Sequence, residues 1–459
     1  MNTSISSDTI CALSTAPGAG AIAVVRISGK RAPEIFSSIF SKDLTNALSH
    51  TAHFGRIRTA GGEIVDEVLV TVLQEGKSFT GEHTIEIACH GSNYIQQQIL
   101  QLLLDAGCRM AEPGEFTMRA FLNGRMDLSQ AEAVADLIAS ESKKAHEVAM
   151  KQMRGGFSNE LKILREKLIH FASLVELELD FAEEDVEFAD RTQLNQLIID
   201  VLNYVRRLTR SFELGNVLKN GVPVAIVGAP NTGKSTLLNQ LLGEDRAIVS
   251  NIPGTTRDVI EETLNIEGIL FRLIDTAGIR EEAEEIEALG IERSFEKIRQ
   301  AQVVVLVTDL SKGEPALTAA SKWADELKNQ YADKKLIVIG NKRDIANQDF
   351  KWVSHVPLQP ISAKTGDGVQ ELKNWLVEQV LGEFDTQTDT IVTNARHVEA
   401  LRKTEESLEK AKWGLETNVT GDFVAMDIRQ AMFHLGTITG DISTEDLLGN
   451  IFSKFCIGK

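Results

Sequence analysis

Nine residues, Gly228-Ala-Pro-Asn-Thr-Gly-Lys-Ser-Thr236, have the types and spacing of a loop that wraps phosphates. Gly228 and Gly233 would let backbone N–H groups close on phosphate oxygens. Lys234 would reach the β- and γ-phosphates, and Ser235 would offer an oxygen to Mg²⁺. Asn231, Thr232 and Thr236 complete the candidate contacts from this loop.

Three more clusters follow in order. Asp275-Thr276-Ala277-Gly278 combines a carboxylate suited to the neighbourhood of Mg²⁺ with a glycine whose N–H could meet a γ-phosphate. Asn341-Lys342-Arg-Asp344 puts a carboxylate where it could accept both the N1–H and the exocyclic amine of guanine, a donor pair that adenine lacks. Ser362-Ala363-Lys364 could supply a backbone N–H to the guanine O6. Each motif alone is common, but the four in this order select GTP over ATP. Between them, Ser250-Asn251-Ile252-Pro253-Gly254-Thr255-Thr256 reads as a switch segment, with Thr255 or Thr256 able to complete the Mg²⁺ shell while a γ-phosphate is present. Where many GTPases carry a Gln to orient water, this chain has Ile279. Hydrolysis then needs another polar group and another positive charge. An external arginine would be worth about 10³–10⁵ in rate, and a bound cation could do similar work. The carboxylates of 281–287 lie close behind in sequence, most of them readable as a solvated acidic loop.

These residues need a scaffold. Val222–Val227 is apolar and β-branched, as a buried strand should be, and Leu237–Leu242 has helical spacing. Residues 218–380 therefore read as an α/β Ras-like G domain. Ahead of it, 1–124 reads as a separate α+β domain. Its strands are expected at Ala21–Ile27, Phe54–Ile57, Ile64–Leu73 and Thr84–Ala88, with a hairpin turn at Gly61-Gly62. A helix is expected over Tyr94–Leu104, ending at Gly107. From 125 to 217 the texture is helical. Ser129-Gln-Ala-Glu132 matches a capping box, and Phe157, Leu161, Leu164, Leu168, Phe171 and Val175 recur at four- and three-residue steps, the mark of a packing seam. Similar spacing returns over 381–459. The expected architecture is thus multidomain, with a discontinuous α-helical domain into which the G domain is inserted. The carboxylates of 176–190 lack ordered spacing and read as a solvated face rather than a metal site.

Composition sets limits. The 459 residues are 43% hydrophobic with a net charge of −18, so bulk electrostatics would not bind nucleic acid, and any RNA contact needs a local patch or a partner. Cys11, Cys89, Cys108 and Cys456 show no metal or disulfide spacing and suit a reducing, cytoplasmic setting. No signal-like or membrane-spanning apolar run is present.

The chain ends in Phe455-Cys-Ile-Gly-Lys459. This tail, with Pro113-Gly-Glu-Phe-Thr117, Arg119-Ala-Phe-Leu-Asn123 and Asp127-Leu-Ser-Gln-Ala-Glu132, closely resembles the MnmE (TrmE) family of tRNA-modification GTPases over nearly its whole length. The resemblance implies a homodimer, dimerising through the 1–124 domain. It also implies a flavoprotein partner, MnmG (GidA), which uses FAD. The pair would install an aminomethyl or carboxymethylaminomethyl group at C5 of wobble uridine in certain tRNAs, with a tetrahydrofolate derivative (5-formyltetrahydrofolate as ligand analogue) giving the one-carbon unit. It further implies K⁺ in place of an arginine finger, held by Asn231, Ser250, Ile252 and Thr255. Thr256 would join Ser235 on Mg²⁺, and Glu287 would orient the water, with Lys234 as the second catalytic group. Arg26, Glu86, Arg125 and Lys459 would bind folate, Arg125 standing where the family often has Lys. Cys456 could be a nucleophile, but a small buried residue that helps dock the tail is the favoured reading.

Two rival readings share the motifs. A ribosome-assembly GTPase often adds a KH domain or a second G domain, whereas this chain has no G-x-x-G. A non-catalytic folate-binding GTP switch would bind GTP and turn it over negligibly without a partner.

Overall fold

The computed structural model describes residues 8–180, 191–245, 262–274, 295–346, 351–382, 389–417 and 419–458, leaving aside the side chains of 176–180, 191–194, 244 and 245. In the first part of the chain come β1 (Ile10–Leu13), β2 (Ile22–Ser28), α1 (Ala32–Ile39), β3 (Thr51–Arg58), β4 (Ile64–Leu73), β5 (Thr84–His90), α2 (Asn93–Asp105), β6 (Arg109–Met110), α3 (Glu115–Leu122) and α4 (Leu128–Ile138). Next are α5 (Lys143–Met153), α6 (Gly156–Asp180), α7 (Arg191–Asn220), β7 (Val222–Val227), α8 (Lys234–Asp245), β8 (Glu262–Ile266), β9 (Ile269–Leu273) and β10 (Val303–Asp309). The described chain closes with α9 (Glu314–Gln330), β11 (Lys335–Asn341), β12 (Leu358–Pro360), α10 (Val369–Leu381), α11 (Ala395–Glu416), α12 (Gly421–Thr439) and α13 (Glu445–Phe452). Two compact units emerge: Met1–Ala135 with Gln152–Ile198 and Glu406–Lys459, and Asp136–Lys151 with Ile199–Glu405.

In the first unit a sheet of order β3-β4-β5-β2-β1-β6 is antiparallel except for the parallel β1–β6 pair. Alternation builds it. Along β4, Asp66, Val68, Val70 and Val72 are buried while Glu67 and Leu69 point outward. The buried face meets Phe36 of α1 and Ile99 and Leu103 of α2 in one core. The turn expected at Gly61-Gly62 is present, with Gly62 at φ 85° and its N–H on Thr59 O at 2.9 Å. On α6, Phe157, Leu161, Leu164, Leu168, Phe171 and Val175 are all buried, and α6 packs against α12.

One expected boundary is corrected. The capping box of α4 is Asp127–Gln130, not Ser129–Glu132. Asp127 Oδ1 accepts the Gln130 N–H at 3.0 Å, and Gln130 Oε1 accepts the Asp127 N–H at 3.0 Å. Ser129 sits inside the helix, where its hydroxyl meets Asp127 and Ser158, each at 2.8 Å.

The second unit holds a sheet of order β12-β11-β10-β7-β9-β8, parallel apart from the β8–β9 hairpin. Its central strands are apolar on both faces because helices cover both. Val222, Val224 and Ile226 of β7 face a core with α8 and α10, whereas Ala225 and Val227 face one with α9. The ladder ends of β7, β10 and β11 place the expected phosphate loop beside the two segments expected to read guanine.

Candidate functional site

The phosphate loop leaves β7 at Gly228, whose φ of 153° is open to glycine, and returns at Gly233 with φ 93°. A Cβ on Gly228 would lie 2.2 Å from Val307 O, and one on Gly233 would lie 2.2 Å from Asn341 Nδ2. The glycines thus admit a neighbouring strand and a neighbouring side chain as well as phosphate. Lys234 is buried, and its Nζ donates to Gly228 O and Ala229 O, each at 2.9 Å. Thr232 Oγ1 closes the loop on Ala229 O at 2.9 Å. Ser235 and Thr236 open α8, where the helix dipole favours anions.

Asn341 ties three motifs together. It is 2% exposed. Its Nδ2 donates to Thr232 O at 2.9 Å, and its Oδ1 accepts the Ala363 N–H at 2.9 Å. Ser362 Oγ donates to Asp344 Oδ1 at 2.8 Å, fixing the carboxylate that would read guanine. The Ser362 N–H goes to Asp367 O at 2.9 Å. Since the Ala363 amide serves Asn341, the Lys364 amide is the one of the three that makes no hydrogen bond among the described residues. Lys342 stands at φ 65°, and its Nζ donates to Asn231 O at 2.9 Å and to Asp309 Oδ2 at 2.6 Å. Asn231 is itself at φ 60° with an exposed side chain whose amide makes no hydrogen bond among the described residues.

Residues 250–256, 275–279, 281–287 and 459 lie outside the described residues. The expectations for Ser250, Asn251, Ile252, Pro253, Gly254, Thr255, Thr256, Asp275, Thr276, Ala277, Gly278, Glu287 and Lys459 therefore have no structural counterpart.

In the first unit, Arg26 and Glu86 are cross-strand partners on β2 and β5, with Arg26 Nη2 2.8 Å from Glu86 Oε1. The guanidinium carbon lies 5.9 Å from the Phe79 ring and 5.6 Å from that of Phe116. The chain's last described residues come to it. Gly458 O accepts from Arg26 Nη1 at 3.4 Å and from Ser14 Oγ at 3.2 Å. A Cβ on Gly458 would sit 2.1 Å from Leu13 O, so the tail fits only with glycine there. Phe452 and Leu448 of α13 anchor the approach against Leu128 and Ala131. Cys456 corrects the sequence reading: its side chain is exposed, and it docks through its carbonyl, which accepts from Gly114 N at 3.3 Å. Arg125 is exposed, its stem leaning on Gly81, and makes no side-chain hydrogen bond or ion pair among the described residues. The donor set suits a folate. Glu86 Oε2 has no partner among the described residues and could accept a pterin N–H, and two aromatic rings lie against the adjoining Arg26.

A buried ionic cluster behind this site follows no sequence pattern. Arg119, 4% exposed, pairs with Glu115 at 2.9 Å, Asp8 at 2.8 Å and Glu82 at 3.2 Å, while Arg109 holds Glu115 at 2.6 Å. Burial alone would raise the Glu115 carboxyl, but hydrogen bonds from Arg109, the Glu112 amide and Arg119 bring it below its ordinary value. Asp8 is lowered in the same way, Arg109 and Arg119 overcoming its burial. Glu115 and Arg119 belong to the motifs quoted above, and these two residues brace α3.

A doubly covered parallel sheet, a glycine-bounded phosphate loop and a guanine-reading pair locked to it define a phosphate-loop GTP hydrolase. Two family models cover most of the chain: the GTP-binding protein TrmE N-terminus over residues 9–125 and the MnmE helical domain over 128–456. The tRNA modification GTPase MnmE of Flavobacterium psychrophilum is 55% identical over 98% of this chain and 99% of its own length. That of Cytophaga hutchinsonii is 55% identical over 98% of both chains. Among solved structures, the G domain of the T. maritima FeoB iron transporter is 27% identical over 34% of this chain and 97% of that one, with a TM-score of 0.24. The chain belongs to the MnmE (TrmE) family.

Proposed function

We propose that this protein is a K⁺-activated GTPase of tRNA modification that works as a homodimer with the flavoprotein MnmG (GidA). Its product is (carboxymethyl)aminomethyl at C5 of wobble uridine, the one-carbon unit coming from a tetrahydrofolate derivative. The observation that carries the nucleotide half is the Asn341 bridge, which ties the segments proposed to read the base to the phosphate loop. Asp344 would accept from the guanine N1–H and amine, and the Lys364 amide would donate to O6. Lys234 would exchange its two loop carbonyls for phosphate oxygens. Mg²⁺, bound by Ser235 and Thr256, would neutralise charge between the phosphates.

Asn231 offers an uncommitted amide to a monovalent cation, in keeping with K⁺ coordination together with Ser250, Ile252 and Thr255. There K⁺ would supply the positive charge that an arginine finger gives elsewhere. Glu287 would orient the water in place of the Gln that Ile279 replaces. In the first unit Arg26 and Glu86, with Arg125 and Lys459, would orient the folate, and the docked tail would bring Cys456 to the same locality. The domain limits 1–124, 125–217, 218–380 and 381–459 belong to the same proposal.

Steady-state hydrolysis in K⁺ and in Na⁺ tests the mechanism. Rates at least tenfold higher in K⁺ are expected, with Glu287→Ala losing them. Equal rates in both salts, or an intact kcat in Glu287→Ala, would sink it. For folate, Arg26→Ala should weaken 5-formyltetrahydrofolate about tenfold or more, equivalent to about 1.4 kcal/mol; unchanged titration would remove Arg26 from the site.

A further inference from the structure

Asp309 closes β10 at the point where its ladder with β11 reaches Asn341. No sequence motif marks it, yet its carboxylate is 2% exposed and fully engaged. Oδ1 accepts the Ser311 N–H at 3.0 Å and the Ser311 hydroxyl at 2.6 Å, capping the short 3-10 turn Leu310–Lys312. Oδ2 faces Lys342 Nζ at 2.6 Å. Leu310 presses on the bare Gly340 backbone, where a Cβ would lie 2.7 Å from its Cδ2, and this close approach keeps the two strand ends together. Burial would raise the Asp309 carboxyl, but Lys342 and Ser311 hold it below the ordinary range, so it stays charged.

The consequence lies in the path of the Lys342 side chain. Its backbone belongs to the base-reading segment, one residue before the 3-10 turn that contains Asp344. Its Nζ ends on the phosphate loop, at Asn231 O. The stem therefore spans from guanine reader to phosphate cradle. A lysine stem held by one carbonyl alone would be costly to order. We propose that Asp309 is a positioning residue for nucleotide binding: its buried carboxylate fixes the Lys342 ammonium so that the stem forms one wall of the base pocket and the Asn231 carbonyl is held in its left-handed turn. Asp309 touches no nucleotide atom in this scheme and acts only through Lys342. The proposal deepens the GTPase reading and is independent of the K⁺ and folate assignments.

Asp309→Asn is the discriminating variant, because its amide oxygen can still cap Ser311 while the charge facing Lys342 is gone. Release of a fluorescent mant-GDP is measured by stopped flow for the wild type, Asp309→Asn, Lys342→Ala and the double variant, with thermal melting of each. Release from Asp309→Asn is expected to quicken about tenfold with little change in Tm, and the substitution should add nothing in the Lys342→Ala background. An unchanged release rate, or the same acceleration with and without Lys342, would overturn the proposal. The second result would mark a merely structural role. Should Asp309→Asn fail to fold, Asp309→Glu keeps the charge but displaces it. It must then quicken release several-fold in the wild-type background and not in Lys342→Ala; wild-type release from Asp309→Glu overturns the proposal.

Discussion

Ser362 and Asp344 show how a single hydrogen bond can set specificity. The hydroxyl donates to Asp344 Oδ1 and fixes the carboxylate plane, so that in the proposed function its acceptor lone pairs would face a base edge with two donors. Replacing Asp344 with Asn puts a donor where guanine also donates. GTP should then weaken by about 3 kcal/mol, on the order of a hundredfold, since a charged pair of hydrogen bonds is lost. XTP, whose C2 carries an oxygen, should gain affinity. Competition of both nucleotides against mant-GDP measures the exchange; a variant that kept its preference for GTP would show that Asp344 does not read the base.

Much of this was legible in the residues, for a local reason. Gly228, Gly233 and Lys234 lie within one strand–turn–helix, and their spacing alone dictates the cradle. Asp309 was hidden because its partner is distant in sequence, and an Asp two residues before a Ser reads as any turn. Arg26 and Glu86 were picked out as ligands, whereas the structure also pairs them with each other and Arg26 with the tail. Cys456 was expected to be buried, but the glycine two residues later takes the tight position.

At the scale of elements, α3 depends on charge that no periodicity reveals. Glu115 and Asp8 have folded-state pKa values below their ordinary ones. Their contribution to stability is therefore complete above the unfolded carboxylate values of about 4 and is lost as pH falls through the lowered folded values. Glu115→Gln should cost about 3 kcal/mol at neutral pH by leaving two guanidinium groups underpaired. Its acid unfolding below about pH 4 should also be less steep than that of the wild type. Denaturant melts at neutral and acid pH test both; a variant as stable as the wild type at neutral pH would show that the cluster adds nothing.

Strand and helix positions were largely readable here, because alternation in β4 and the seam of α6 are strong periodic signals. The α4 cap was misassigned since two overlapping quartets fit the same template, and only the backbone decides between them. The two-residue β6 was invisible, being a parallel pairing with β1 made possible by α2 returning the chain.

At the scale of the molecule, the nucleotide module is entered through α7 and left through α11, and within the second unit these helices are joined. Arg206 of α7 meets Glu405 of α11 at 2.8 Å, and Arg207 reaches Asp389. Lys219 at the end of α7 holds Asp136 at 2.6 Å. The expectation of an interrupted helical pattern rested on similar, less regular spacing that returns after about residue 390. Which helical residues stay with the G domain was not readable, since that depends on ion pairs between segments far apart in sequence. The central claim is that GTP hydrolysis in this chain serves wobble-uridine modification. It is tested most directly by nucleoside analysis of bulk tRNA from cells lacking the gene, with and without complementation by the wild-type protein. Loss of the C5-modified wobble uridines and their return on complementation is the predicted result; intact modified uridines in the deletion strain would contradict the account.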